Sequence, residues 1–133
     1  MTFHAGASSR EKLGGGCTDI KRVVLRAYEL SEVDFSVIET RRSVIQQRSN
    51  IEKGVSWTMD SDHLMLDEDG SGVLAVDLYP WVDGKTSHDP EHYDLLAKAM
   101  FRAAGELGVQ IKWGGFWKSK RKDSPHWAKR RNT

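Results

Sequence analysis

A single cysteine, Cys17, occurs in the 133 residues. No intramolecular disulfide can form, so a disulfide-stapled scaffold is excluded. No apolar run approaches the ~20 residues that a membrane-crossing helix needs. Met1 to Gly16 is polar and glycine-rich and lacks the apolar core of a secretory signal. That predicts a product made in the cytoplasm whose export needs outside help. Internal repeats and long low-complexity stretches are absent too. What is there is ordinary for a globular protein: 38% hydrophobic and 29% charged residues, in a length that suits one domain with one core. Cys17 follows Gly14-Gly15-Gly16 and opens a predicted helix, a setting that fits a structural role better than a nucleophile.

The net charge of +1 conceals a split. Lys118 to Thr133 holds seven Lys/Arg and one acid, net +6, against −5 for the rest of the chain. A basic tail on an acidic body fits a solvated terminus, or an anionic partner such as nucleic acid or cell envelope.

Ile20, Val23, Val24, Ala27 and Leu30 make a helical stripe over Thr18 to Leu30. Asp34 to Thr40 alternates and is rich in β-branched residues, which predicts a strand. Ser43 to Lys53 predicts a helix closed by Gly54, and Trp57 to Leu66 gives no clear pattern. Val73 to Tyr79 is an apolar run broken by Asp77 and predicts a buried strand ended by Pro80. Pro90 opens a helix with Tyr93, Leu96, Ala97, Met100, Ala104 and Leu107 on one face, capped by Gly108. Val109 to Trp113 predicts a further strand before Gly114-Gly115. Helices and strands in this order predict an α+β domain with a small mixed or antiparallel sheet.

Asp77 lies between Val76 and Leu78. Burying a carboxylate costs several kcal/mol unless it is paired or binds a metal. Either Asp77 faces water at a strand edge, or it has a partner. The imidazoles offer candidates. Asp123-Ser124-Pro125-His126 places a carboxylate and an imidazole three apart, so that one can hold a metal while the other handles a proton. Ser61-Asp62-His63 supplies another imidazole. His88 and His92, four apart at a helix start, suit zinc or are simply exposed, and His4 lies in the terminus. Composition does not choose among them.

Three stretches carry a resemblance. The first is Asp34-Phe35-Ser36-Val37-Ile38-Glu39-Thr40-Arg41-Arg42-Ser43 with Gln46 and Gln47. The second is Thr58-Met59-Asp60-Ser61-Asp62-His63-Leu64 followed by Ala75-Val76-Asp77-Leu78-Tyr79-Pro80-Trp81-Val82-Asp83-Gly84-Lys85. The third runs from Leu107-Gly108-Val109 through Trp113-Gly114-Gly115-Phe116-Trp117-Lys118-Ser119 to Asp123-Ser124-Pro125-His126. Together, from about Ser9 to His126, they resemble the family of zinc peptidases that holds D-alanyl-D-alanine carboxypeptidases and L-alanyl-D-glutamate endopeptidases. In size and in the Trp-Gly-Gly stretch the phage endolysins of that family are most similar.

The resemblance implies a small, mostly antiparallel sheet flanked by helices, in the DD-peptidase and hedgehog-like zinc fold. It implies a single catalytic domain over 1–133 with a basic tail from about 118 and no separate wall-binding domain. It implies zinc held by His63, Asp77 and His126, with a fourth position open as in catalytic sites. Asp123 matches the family's general base and Arg42 the arginine that stabilises the oxyanion. The substrate is then the peptide stem of peptidoglycan, cut between L-alanine and D-glutamate. The enzyme would act as a monomer that accumulates in the host cytoplasm and reaches the periplasm after a holin opens the membrane, with the basic tail meeting anionic envelope. The rivals are a D-alanyl-D-alanine carboxypeptidase of the same family and a non-catalytic module that binds wall polymer or nucleic acid.

The chain departs from the family pattern in three places. Thirteen residues, Leu64 to Val76, separate His63 from Asp77, where the family has fewer. Phe116 stands where Asp or Asn is usual, and Trp127 where Phe is usual. Within the longer spacer, Asp67-Glu68-Asp69-Gly70-Ser71-Gly72 reads either as a polar hairpin or as the first half of a calcium loop. The second reading makes Asp67, Asp69, Ser71 and the Val73 carbonyl the Ca2+ ligands, although Leu78 replaces the closing Glu.

Overall fold

The computed structural model describes residues 2–41, 63–116 and 123–130. The predicted stripe forms helix α2, Thr18–Leu30, and buries Ile20, Val23, Val24, Ala27 and Tyr28. It follows a helix that the glycine-rich terminus did not announce, α1, Ala7–Leu13, whose Leu13 joins the core. Helix α3, Pro90–Leu107, has the ends its sequence predicts. The Asp89 carboxylate accepts from the Glu91 N–H, Pro90 fills the first turn, and Gly108 closes it in the left-handed region at φ 70°. The predicted Ser43–Lys53 helix lies outside the described residues.

Among the described residues five strands form one sheet: β1 (Asp34–Glu39), β2 (Ala75–Val82), β3 (Lys85–Thr86), β4 (Ile111–Trp113) and β5 (His126–Lys129). Their order is β1-β2-β5-β4, with β3 pairing β2, and every pairing is antiparallel. The α+β expectation holds, with an antiparallel rather than mixed sheet.

Pro80 does not end β2, as the sequence reading had it. Its ring is buried, it stands opposite Phe35, and its carbonyl accepts from the Ser87 N–H. The strand ends instead at Asp83-Gly84, with φ of 54° and 76°. Two consecutive positive φ values give the hairpin turn whose twist matches its strands, and β3 follows directly.

Alternation sorts β2 into two faces. Val76 and Leu78 are buried in the core with Phe35 and Val37 of β1, beneath α2 and α3. Asp77, Tyr79 and Trp81 turn to the other face and grow more exposed along the strand. Trp127 and Trp113 stack with ring centroids 5.3 Å apart and close the core at the β4–β5 end. The C-terminal segment is thus partly folded: β5 lies within the expected tail, and Lys129 turns inward.

Candidate metal centre

The sheet register assembles the centre. Asp77 on β2 stands directly opposite His126 on β5 and, on its other side, Glu39 on β1. Beta-bulge irregularity between Val37 and Glu39 turns the end of β1. Thr40 follows, its hydroxyl donating to the Lys12 carbonyl at the end of α1. The Thr40 carbonyl in turn lies 2.6 Å from His63 Nδ1. A carbonyl only accepts, so Nδ1 carries a proton, and Nε2 is the nitrogen turned to Asp77: a donor to the carboxylate while the ring is protonated, and the atom free for a metal once the ring is neutral. Helix α1, through Thr40, therefore orients His63.

His63 Nε2 lies 3.1 Å and His126 Nδ1 3.2 Å from the same oxygen, Asp77 Oδ1. Both rings are buried and meet edge to face, with centroids 5.2 Å apart. Among the described residues, these three side chains each offer a ligand atom, all within 4.8 Å of one another. Zinc ligands at about 2.0–2.2 Å in a tetrahedron sit about 3.4 Å apart, so the spacing fits a shared ion. The second nitrogen of His63 is tied to a backbone carbonyl, as in most metal-bound histidines. Burial raises the Asp77 carboxyl, but hydrogen bonds from His126 and His63, with their charge, outweigh it and hold the group well below the usual carboxylate range. Asp77 is a carboxylate at neutral pH, and its partner proves to be the pair of histidines. His63, expected before a lengthened spacer, is brought into place because the spacer loops out.

Asp123 is half-buried in the turn that leads into His126. Its N–H donates to the Gly114 carbonyl, its own carbonyl accepts from the His126 N–H, and the Trp113 indole N–H donates to the Ser124 carbonyl. The turn before His126 is thereby fixed to the Trp-Gly-Gly stretch. Burial chiefly, then the charges of Asp77, Asp123 and Glu39, raise the Tyr79 phenol. Burial also raises Tyr93, with Tyr79, Asp123 and Asp77 adding to it. Arg42 lies outside the described residues.

Other expected groups go elsewhere. His92 Nδ1 meets the Ser87 hydroxyl at 2.6 Å, while His88 Nδ1 meets the Tyr93 hydroxyl at 2.8 Å. The His88–His92 pair does not act as a unit. His88 packs edge-on against Tyr79, with centroids 4.9 Å apart. Tyr79 and Tyr93 escaped the sequence reading, which weighed His88 only as a zinc ligand with His92; the one available signal was that Tyr79 shares the face of Asp77 two residues on. Phe116 is exposed and packs on Trp113 and Phe101.

The calcium expectation finds no support. Lys129 Nζ lies 3.0 and 2.9 Å from the two Asp67 carboxylate oxygens. Asp69 accepts from the Ser71 N–H and hydroxyl, and the Val73 carbonyl accepts from the Cys17 N–H. The donors are committed to protein partners, and the segment is the polar hairpin of the alternative reading. Cys17 is fully buried and its thiol is pushed up by that burial, consistent with a structural role.

The family described as phage L-alanyl-D-glutamate peptidase matches residues 1–131. The L-alanyl-D-glutamate peptidase of Escherichia phage T5 is 32% identical over 121 residues, which cover 88% of this chain and 83% of that protein. The crystal structure of the Serratia marcescens L-Ala D-Glu endopeptidase ChiX matches with a TM-score of 0.82 and 39% identity, covering 93% of this chain and 87% of that one. Together with a two-histidine, one-aspartate centre on an antiparallel sheet, these matches settle the kinship: the chain belongs to the phage L-alanyl-D-glutamate peptidase family.

Proposed function

We propose that this chain is a metal-dependent endopeptidase that cuts the L-alanyl–D-glutamate bond of peptidoglycan stem peptides and serves as a phage endolysin. The observation that carries the reading is the convergence of His63 Nε2 and His126 Nδ1 on Asp77 Oδ1, in a chain of this family. Two imidazoles and one carboxylate suit zinc, and three protein ligands suit a catalytic rather than a structural site. Zinc in such a site acidifies water to a pKa of about 7 and polarises a carbonyl.

The protein groups do the rest. His63, held by the Thr40 carbonyl, and His126, on β5, would bind the ion as neutral imidazoles. Asp77 supplies the negative charge. Asp123, held by Gly114 three residues before His126, takes the proton of the attacking water and returns it to the leaving amine. Arg42 is assigned the developing oxyanion. The reading extends to a single catalytic domain, acting as a monomer on the periplasmic wall after holin release. The basic segment, of which Arg130 is exposed, then meets anionic envelope. No helix among the described residues is long and apolar enough to cross a membrane.

The test is mass spectrometry of defined muropeptides. Cleavage between L-alanine and D-glutamate is expected, and Asp123→Asn should lower kcat about 10²–10⁴-fold while leaving metal content unchanged. Release of terminal D-alanine alone would replace the reading with a carboxypeptidase.

A further inference from the structure

The face of β2 that carries Asp77 continues beyond the metal centre. Asp77, Tyr79 and Trp81 alternate onto it, and their cross-strand partners on β1 are Glu39, Ser36 and Asp34. At about 3.3 Å per residue, Trp81 lies about 13 Å from Asp77 along the strand. There a groove of about 340 Å³ opens between β1, the end of β2 and the start of α1, a volume at the lower end for small-ligand sites. Trp81, 41% exposed, forms one wall, with His4, Ser8, Asp34 and Ser36 around it. The N-terminal strand of chain that carries His4 is held by the Phe3 N–H donating to the Tyr28 carbonyl.

We infer that this groove binds the glycan of the substrate, the N-acetylated amino-sugar strand to which the first alanine of each stem is joined. The inference rests on the peptidoglycan endopeptidase reading. A cut after the first stem residue leaves one residue and a lactyl group between the scissile carbonyl and the sugar, about 7 Å when extended. With the carbonyl at the metal centre, the first sugars fall along the Tyr79–Trp81 stretch. The other side of the scissile bond is ruled out by charge. D-glutamate and the residues after it carry carboxylates, which call for Arg or Lys. Among the described residues that line the groove there is neither, and Asp34 is one of them. A half-exposed indole beside hydroxyl, imidazole and carboxylate groups instead matches a neutral ring with one apolar face and a rim of hydroxyls.

The experiment uses glycan strands stripped of their stems, titrated by calorimetry into the metal-loaded protein. Wild type should bind them, and Trp81→Ala should bind about tenfold more weakly. Trp81→Phe should retain most of the affinity. On glycan-linked stems Trp81→Ala should raise KM with little change in kcat, and on free stem peptide it should change neither. If Trp81→Ala does not fold, Ser36→Phe, which narrows the groove from β1, gives the same comparison. Stripped strands that fail to bind wild type, or bind both variants as tightly as wild type, overturn the inference. An equal effect of Trp81→Ala on free peptide also overturns it, because the groove would then hold peptide. Absence of L-alanyl–D-glutamate cleavage by wild type would instead sink the endopeptidase reading, and the titration, which involves no chemistry, still decides the groove.

Discussion

Replacing Lys129 with methionine tests how the spacer between two metal ligands is held. Lys129, on β5, reaches Asp67 in the hairpin at 2.9 Å and Asp19 in the first turn of α2 at 3.0 Å. Three segments far apart in the chain meet at one ammonium. The side chains of Lys129, Asp67 and Asp19 are 18%, 8% and 28% exposed, so the cluster is neither a surface pair nor fully buried. Exposed pairs contribute about 0–1 kcal/mol, and removing one partner of a buried pair costs about 3–5 kcal/mol. Between those limits, Lys129→Met should cost about 2–3 kcal/mol, since it strips the buried Asp67 of its cation and leaves Asp19 only the exposed Arg22. At this chain length that lowers Tm by about 6–15 °C. Urea unfolding followed by circular dichroism reads the loss directly. Adding Asp67→Asn removes the stranded charge, so the double variant should be less destabilised than the sum of the singles by about 1 kcal/mol. The hydrogen bonds to Asp67 and Asp19 raise the Lys129 ammonium above the usual lysine range of 10.5. A raised pKa means the clamp contributes fully below that pH and weakens as pH rises through and beyond it. A Lys129→Met change within about 0.5 kcal/mol of wild type, or strict additivity with Asp67→Asn, would refute the reasoning.

Two further outcomes follow from packing and burial. A Cβ on Gly114 would collide with the Asp123 carbonyl oxygen, so Gly114→Ala should cost about 1–3 kcal/mol and lower activity by displacing the Asp123 turn. Wild-type melting together with wild-type turnover would contradict that. The buried Tyr28 hydroxyl donates to the Phe35 carbonyl at 2.7 Å, and its phenol is pushed up to about 12, by burial first. Tyr28→Phe should therefore cost about 1 kcal/mol at neutral pH. Wild-type stability should fall between about pH 10 and 12, where the unfolded chain loses this proton first, and the variant should lose that part of the fall. Superimposable pH curves would show that Tyr28 does not carry the effect.

Much of the fold was legible because the long elements carry strong local signals. The α2 stripe and the Asp89, Pro90 and Gly108 boundaries of α3 need no tertiary context. Short elements were harder. The two residues of β3 have no periodicity, although the Asp83-Gly84 dipeptide was a hairpin signal that Pro80 overshadowed. Helix α1 is brief, and its anchors, Ser9 to the Val37 N–H and Lys12 to Thr40, are tertiary. The metal ligands were legible as residue types and through family likeness, and their convergence depends on register: Asp77 opposite His126 is a pairing that no local pattern announces. Tyr79, Tyr93 and His88 meet only through the way β2 and the start of α3 come together. Asp67 misled because a loop of acids and glycines reads alike whether calcium or a lysine 62 residues away neutralises it.

The central claim is one divalent ion shared by His63, Asp77 and His126, and an anomalous-scattering crystal structure of the zinc-loaded protein tests it most directly. One peak per chain should lie within about 2.0–2.2 Å of His63 Nε2, an Asp77 carboxylate oxygen and His126 Nδ1. A peak elsewhere, or these three groups standing apart with zinc bound, would contradict it.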